Sequence, residues 1–397
     1  MLYLSLPVGS FHGWGVCGKY LTRALSRLTP VTLLAQQFNE KNLADPLDYT
    51  FLQRLWRNPA TLAGQMLEAP VLHSIGNKMM QPGNLDIRSR VRNVGYSFFE
   101  DNLLPPEAIE NARRYFDVVI TGSAWCEEIL RSYGLTEVTT VIQGVDTQIF
   151  NPIDAEKKYF LENFVIFSGG KFELRKGQDL VIRAVKHMQD KYPDVMLVNS
   201  WFNMWAFSLN TMRVSPHIRL VRDLTQNYVP SMMQVLADNG LDLQRVVTLG
   251  PQPNSAMARI YKNSDVGVFP NRCEGGTNLV MMEYMACGKP VIASYNTGHK
   301  DVLTEDNARL LTRFQTGRIS DGQKDIAVWD FPELDELIDQ LEWAYHHRDV
   351  LAGIGTRAGQ YMSQCSWDAS AQGFYQVLQP TSDHKAEALG AILSRDF

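Results

Sequence analysis

With 397 residues, the chain is too long for one ordinary domain and predicts two or three, each of about 100–200 residues. Hydrophobic residues at 45% and charged residues at 20% describe an ordinary globular protein and argue against pervasive disorder. A net charge of −5 argues against a nucleic-acid binder, which needs a basic surplus; the run Arg88, Arg90, Arg92 reads as a solvated face, with phosphate or membrane contact as the alternative.

The stretch 1–15 lacks a basic start and has only a short apolar run, so it reads as a buried first strand rather than a signal peptide. No stretch reaches the about 18 apolar residues of a membrane helix, so a cytoplasmic protein is expected, with peripheral contact at the inner face of a membrane at most. Runs rich in Val and Ile predict strands at 2–6, 31–35, 71–75, 94–99, 118–121 and 139–142. Helices are predicted between them at 18–28, 107–115 and 123–133. The scheme resumes with strands at 163–168, 195–199, 246–249, 266–269 and 291–293, and helices at 178–191, 255–262 and 278–286. In 178–191, Leu180, Val181, Ala184, Val185 and Met188 share one face. Strands apolar throughout, alternating with helices, predict an α/β protein with two doubly wound, Rossmann-like parallel sheets.

Gly144-Val145-Asp146 and Asn151-Pro152 punctuate the middle, giving a first domain over 1–152 and a second over 153–367. The stretch 312–329 reads as irregular, and helices are predicted at 333–346, 350–364 and 368–378 before a weakly tied tail, 380–397. The five cysteines (Cys17, Cys126, Cys273, Cys287, Cys365) form no C-x-x-C pair and read as reduced thiols, not a zinc site.

Two loops carry the strongest chemical signal. Residues 272–283 follow a predicted strand and open a helix. Gly275 and Gly276 let the backbone approach a ligand, and the amides of Gly276, Thr277 and Asn278, followed by Leu279, suit a phosphate. Glu274 at the lip can accept from sugar hydroxyls, and Glu283, inside the helix, from a ribose diol. Residues 167–177 likewise link a strand to a helix, with Lys171, Arg175 and Lys176 on a glycine-flanked turn. Cations there can grip a diphosphate and stabilise its departure. The loop is not a P-loop, because Gly-x-x-x-x-Gly-Lys-Ser/Thr is absent.

These residues resemble the donor-binding motif of the retaining glycosyltransferases of family 4, which have the GT-B fold. That family carries two glutamates followed by an Ala-Cys-Gly-x-Pro ending, matched here by Ala286-Cys287-Gly288-Lys289-Pro290. Eight residues separate Glu274 from Glu283, one more than in the family pattern. Lys176 matches the family lysine of the second loop, and Lys171 stands where an arginine is usual, with Arg175 beside it. The resemblance runs from about Leu2 to Phe374 and is most specific between Phe164 and Asp301.

It implies two domains facing a central cleft, an acceptor domain first and a donor domain second, with the final helix, about 368–379, returning to the first. It implies a metal-independent hexosyltransferase taking a nucleoside-diphosphate sugar, UDP- or GDP-linked, as co-substrate, with no cofactor, to a hydroxyl acceptor. Lys171, Lys176 and Glu274 then carry the chemistry, and Arg175, Gly275, Gly276, Thr277, Asn278, Leu279 and Glu283 bind the donor. Gly13 and Gly15, in a Gly-x-Gly-x-x-Gly spacing after the first strand, are placed near the donor phosphates.

Candidate substrate contacts are His12, His73, Asn77 and His299; His12 reads equally as a solvated loop residue and His73 as a core histidine. Many relatives place a histidine near 93–102; none stands here, and Glu100 is its polar replacement or a loop cap. No Asp-x-Asp triplet occurs, in keeping with metal independence. Rival readings are a dinucleotide oxidoreductase, which lacks a ribose-binding acid near Ala35, a sugar-nucleotide-binding partner subunit, and a GT-B-like epimerase that needs no acceptor.

Overall fold

The computed structural model describes residues 1–80, 86–203, 205–221 and 223–379. It divides the chain into two compact units, one of Met1–Gly144 with the segment from Trp367, the other of Val145–Ser366. The expected tail, 380–397, lies outside the described residues.

The first unit runs β1 (Leu2–Ser5), α1 (Gly13–Leu28), β2 (Val31–Leu33), α2 (Pro46–Leu55), β3 (Met66–Leu67), β4 (Val71–Ser74), β5 (Arg88–Ser89), β6 (Asn93–Ser97), α3 (Pro106–Tyr115), β7 (Val118–Thr121), α4 (Ala124–Ser132) and β8 (Val138–Thr140). Six of its strands form one parallel sheet in the order β2-β1-β4-β6-β7-β8. Both faces are covered, so Val71, Leu72, Val94, Tyr96, Val119 and Ile120 are all buried.

The sequence predicts α1 from residue 18, but the helix opens at Gly13. His12 caps it, its Nδ1 accepting from the Gly15 amide at 3.1 Å. The glycine spacing therefore lies within the helix instead of forming a loop. It allows close packing: a Cβ on Gly18 would stand 1.9 Å from the Pro7 carbonyl oxygen.

The second unit runs β9 (Phe164–Gly169), α5 (Gln178–Lys191), β10 (Val195–Ser200), α6 (Ala206–Leu209), α7 (Tyr228–Asp238), β11 (Val246–Thr248), α8 (Met257–Lys262), β12 (Val266–Phe269), α9 (Leu279–Ala286), β13 (Val291–Ser294), β14 (Arg309–Leu311), β15 (Phe314–Ser320), β16 (Asp325–Pro332), α10 (Leu334–His346) and α11 (Arg348–Met362). Its parallel sheet has the order β11-β10-β9-β12-β13-β14. The chain starts at β9, builds outward to β11, then returns to the other side of β9 with β12. The strand order thus reverses between β9 and β12, and in such sheets ligands bind beyond the carboxyl ends of the two strands that flank the reversal.

The stretch read as irregular is an antiparallel hairpin, β15–β16, with a register shift between Ile319 and Ser320. The segment before the expected boundary at Pro152 packs with the second unit. Val145 bridges to Ser366, and a Cβ on Gly288 would meet the Pro152 side chain at 3.0 Å. The last helix, α12 (Trp367–Leu378), belongs to the first unit. Trp367 stacks on Tyr20, Phe374 meets Tyr96 edge-on, and Ser370 donates to the Ile142 carbonyl.

Candidate functional site

The lysine loop leaves β9 and the acidic loop leaves β12, and these strands pair directly, Phe167 opposite Gly267. The topology thus brings together residues about a hundred positions apart. Gly170 and Gly177 take the left-handed conformation, with φ of 105° and 73°, so the chain can turn sharply out of the strand and again into α5. Between them a short 3-10 turn, Leu174–Lys176, aims Lys176 at the neighbouring loop.

Lys176 Nζ lies 2.5 Å from Glu274 Oε2, Arg175 donates to the same oxygen at 3.1 Å, and the Asn271 side-chain amide donates to it at 2.7 Å. Among the described residues nothing donates to Glu274 Oε1, so one carboxylate oxygen carries the charge pairing and the other is open to a hydroxyl. Burial pushes the Glu274 carboxyl up, but Lys176 and Arg175 outweigh it and hold it down at about 2. Burial lowers the Lys176 ammonium, against the pull of Glu274. Lys171 is more open; it sits 3.4 Å from Glu173 and 5.0 Å from the centre of the Trp205 ring.

Asn278, in the left-handed conformation with φ 62°, caps α9. Its side chain faces His299 Nε2 at 3.2 Å. His299 Nδ1 lies 3.0 Å from the Ser294 carbonyl, which can only accept, so Nδ1 holds the proton and Nε2 accepts from Asn278. Burial lowers His299 to about 4, which keeps the ring neutral near pH 7. His299 is thus fully buried, with its side chain facing the Asn278 cap of the acidic loop. Gly298 closes the same side: its amide donates to the Glu274 carbonyl at 3.0 Å, and a Cβ there would stand 1.8 Å from the Gly276 oxygen. The amides of Gly276, Thr277 and Asn278 have no acceptor among the described residues. Gly275 and Leu279 flank that strip of backbone.

Glu283 is 3% exposed and accepts from the Asn254 side chain at 2.5 Å and from the Tyr261 hydroxyl at 3.4 Å. Asn254 and Tyr261 escaped sequence reasoning because no motif links them to Glu283; only the fold does. Arg272 and Asp179 escaped it for the same reason. Their side chains form a two-pronged ion pair with bonds of 2.8 and 2.7 Å, and neither is exposed.

In the first unit the order reverses between β1 and β4. His12 and Gly13 follow β1, Asn77 follows β4, and Glu100 follows β6. Asn77 donates to Asp101 at 2.6 Å, tying two of these loops together. Gly15 is buried against Gly9, so it serves helix packing, while Gly13 is exposed at the helix start. His73 is fully buried with its ring 5.6 Å from Phe116, and among the described residues neither nitrogen has a hydrogen-bond partner at ordinary geometry. That placement matches its reading as a core histidine. Trp201 is likewise core, its indole N–H donating to Ser168. Among the described residues no helix is long and apolar enough to cross a membrane.

Residues 222–320 match the family model described as Glycosyl transferases group 1. Over 262 residues the chain is 24% identical to the D-inositol 3-phosphate glycosyltransferase of Paenarthrobacter aurescens (strain TC1), a match covering 64% of this chain and 55% of that one. The chain therefore spans about half the length of the curated relatives it matches. In fold it is similar to Anabaena HepE, solved with UDP and glucose, with a TM-score of 0.65, 17% identity, and 95% and 99% of the two chains covered. It is also similar to a UDP-forming α,α-trehalose-phosphate synthase from Burkholderia vietnamiensis, with a TM-score of 0.67, 12% identity, and 97% and 99% covered. In its motifs and over residues 222–320 the chain is similar to the group 1 glycosyltransferases, and its two parallel-sheet units have the GT-B fold of those solved structures.

Proposed function

We propose that this chain moves a sugar from a nucleoside-diphosphate sugar, UDP-linked in the first instance and GDP-linked as the alternative, to a hydroxyl acceptor. The transfer retains the anomeric configuration and needs no metal ion. The observation that carries this reading is the meeting of Lys176 and Glu274 where the strand order reverses, beside the open amides of Gly276, Thr277 and Asn278. The cations of Lys176, Arg175 and Lys171 and those amides suit a diphosphate; Glu274 Oε1 suits a sugar hydroxyl, and Glu283 a ribose diol.

In the step, the bond from the anomeric carbon to the phosphate oxygen breaks as the bond to the acceptor oxygen forms. The acceptor proton passes to the leaving phosphate. Negative charge grows on that phosphate, where Lys176, Lys171 and the amides stabilise it more in the transition state than in the ground state. On the first unit, the His12–Gly13 turn and Glu100 are the candidates for substrate contact.

A thermal-shift panel of UDP, GDP, ADP and their sugar conjugates tests the donor reading. At a ligand concentration of 100 Kd the true donor adds about 2.7 kcal/mol of stability. NMR of the transfer product should show the donor's anomeric configuration, and EDTA should leave turnover unchanged. An inverted product defeats retention; loss of turnover in EDTA, restored by a divalent ion, defeats metal independence.

A further inference from the structure

We infer that Arg272 and Asp179 are a positioning pair that fixes the spacing between the lysine loop and the acidic loop, and so sets how tightly the nucleoside diphosphate is held. The inference rests on the donor reading above. Neither side chain is exposed, Arg272 at 1% and Asp179 at 0%, so neither touches a donor directly. What they join is the site itself. Arg272 stands two residues before Glu274, and its guanidinium donates to the Leu174 carbonyl, two residues before Lys176. Its backbone amide donates to the Arg175 carbonyl at 2.7 Å, and its own carbonyl accepts from the Asp330 amide at 3.2 Å. Asp179, in the first turn of α5, takes both prongs of the guanidinium and a third bond from the Ser215 hydroxyl. Phe331 of β16 closes the far side, its ring centre 4.9 Å from the guanidinium carbon.

Stability alone does not account for this arrangement. Burying both charges costs desolvation, and well-packed apolar residues of similar volume do as well or better. A planar fork held at two points fixes distance and angle together, which an apolar contact does not. The lysine loop needs such a brace, because Gly170 and Gly177 at its two ends leave the backbone little stiffness of its own. The Lys176–Glu274 contact is then the consequence of two backbones held at the right separation.

The test compares the whole chain with two variants, Arg272→Lys, which keeps the charge and loses the fork, and the double variant Arg272→Met/Asp179→Leu, which removes both charges. Amide hydrogen exchange is read over 171–177 and 273–278, and UDP and GDP affinity by calorimetry well below each melting temperature. In both variants these two segments should exchange at least tenfold faster while the sheet strands keep their protection. Kd for the bound nucleotide and donor KM should rise at least tenfold, and kcat at saturating donor should change less. Folded variants whose two loops exchange at the wild-type rate overturn the inference, as does wild-type nucleotide affinity. If the wild-type chain binds neither UDP nor GDP, the donor reading fails and the exchange rates alone decide the positioning role. If the double variant does not fold, Arg272→Lys carries both measurements.

Discussion

Glu274 keeps its charge although the protein buries it, because its partners converge on a single oxygen. Held at about 2, it is a carboxylate near neutral pH, and Lys176 Nζ stands 2.5 Å from it. Removing either member leaves the other buried and short of a partner. Lys176→Ala should therefore lower kcat by about 10²–10³-fold, the usual loss when one stabilising donor is deleted. Donor turnover under saturation measures it, and wild-type turnover would remove this lysine from the mechanism.

His73 gives a prediction of the opposite kind. Burial lowers it to about 3, far below the ~6.5 of an unfolded chain. As pH falls, the unfolded chain takes up the proton first, so the stability that His73 contributes is present above about 6.5 and is lost progressively toward 3. Across that window one such group costs roughly 3–5 kcal/mol. His73→Phe, which keeps a ring against Phe116, should flatten the fall of the urea midpoint between pH 6.5 and 4. His299, at about 4, and His217, also lowered by burial, contribute to the slope that remains, with the buried carboxylates held down by their cations adding to it toward pH 4. A slope unchanged by His73→Phe would refute the assignment.

At the scale of elements, Gly177 is where geometry is most demanding. It ends the lysine turn and starts α5 at φ 73°, and a Cβ there would lie 2.1 Å from the Pro270 carbonyl oxygen at the end of β12. Gly177→Ala should force the start of α5 away from the end of β12 and cost more than about 1 kcal/mol in urea unfolding, with weaker donor binding. Gly353→Ala, in the middle of α11 where the nearest atom is a flexible Arg357 nitrogen at 3.7 Å, should instead stabilise by about 0.5–1 kcal/mol. Equal effects at the two sites would sink the argument.

The same elements show what could be read from sequence. The helix α5 falls on its predicted bounds because its apolar face repeats without interruption, and β7 and β12 do so because they are short apolar runs between breakers. The hairpin β15–β16 was missed, since Gln315, Thr316, Arg318 and Ser320 dilute the alternation; Asp321-Gly322 at its turn was the available signal. α2 was missed despite Asp45 as cap and Pro46 at its first position, and α7 because Pro230 reads as a breaker although a first-turn proline is tolerated. The lysine and acidic loops were legible because glycines, charges and a helix start recur in close sequence. The partners of Glu283 and the Arg272–Asp179 pair were not, being brought together only by tertiary structure.

For the whole molecule, each unit closes its own sheet with its own core, but the first is completed only by the end of the chain. Apart from Gly13 and Gly15 in the first unit, residues 145–366 contain the groups proposed for the donor side: Lys171, Arg175, Lys176, Glu274, the amides of 276–278 and Glu283, with Asn254, Arg272 and Asp179 behind them. The first unit depends on α12, which brings Trp367 to Tyr20 and Phe374 to Tyr96. Phe374 is fully buried, and losing so large a ring costs about 3–5 kcal/mol by itself. That is a large part of the about 5–15 kcal/mol that holds a typical domain. Ending the chain after Ser366 should therefore unfold the first unit, seen as rapid hydrogen exchange over β1, β4 and β6, while the second unit keeps its protection. Because the proposed donor groups of the second unit stay in place, the truncated chain should still be stabilised by UDP, or by GDP if that is the donor. Sugar transfer should nevertheless disappear, since the first unit is where the acceptor is assigned. A truncated chain that loses nucleotide binding while its second sheet stays protected would mean that the donor site draws on residues outside 145–366, and that the assignment of the donor to the second unit alone is wrong.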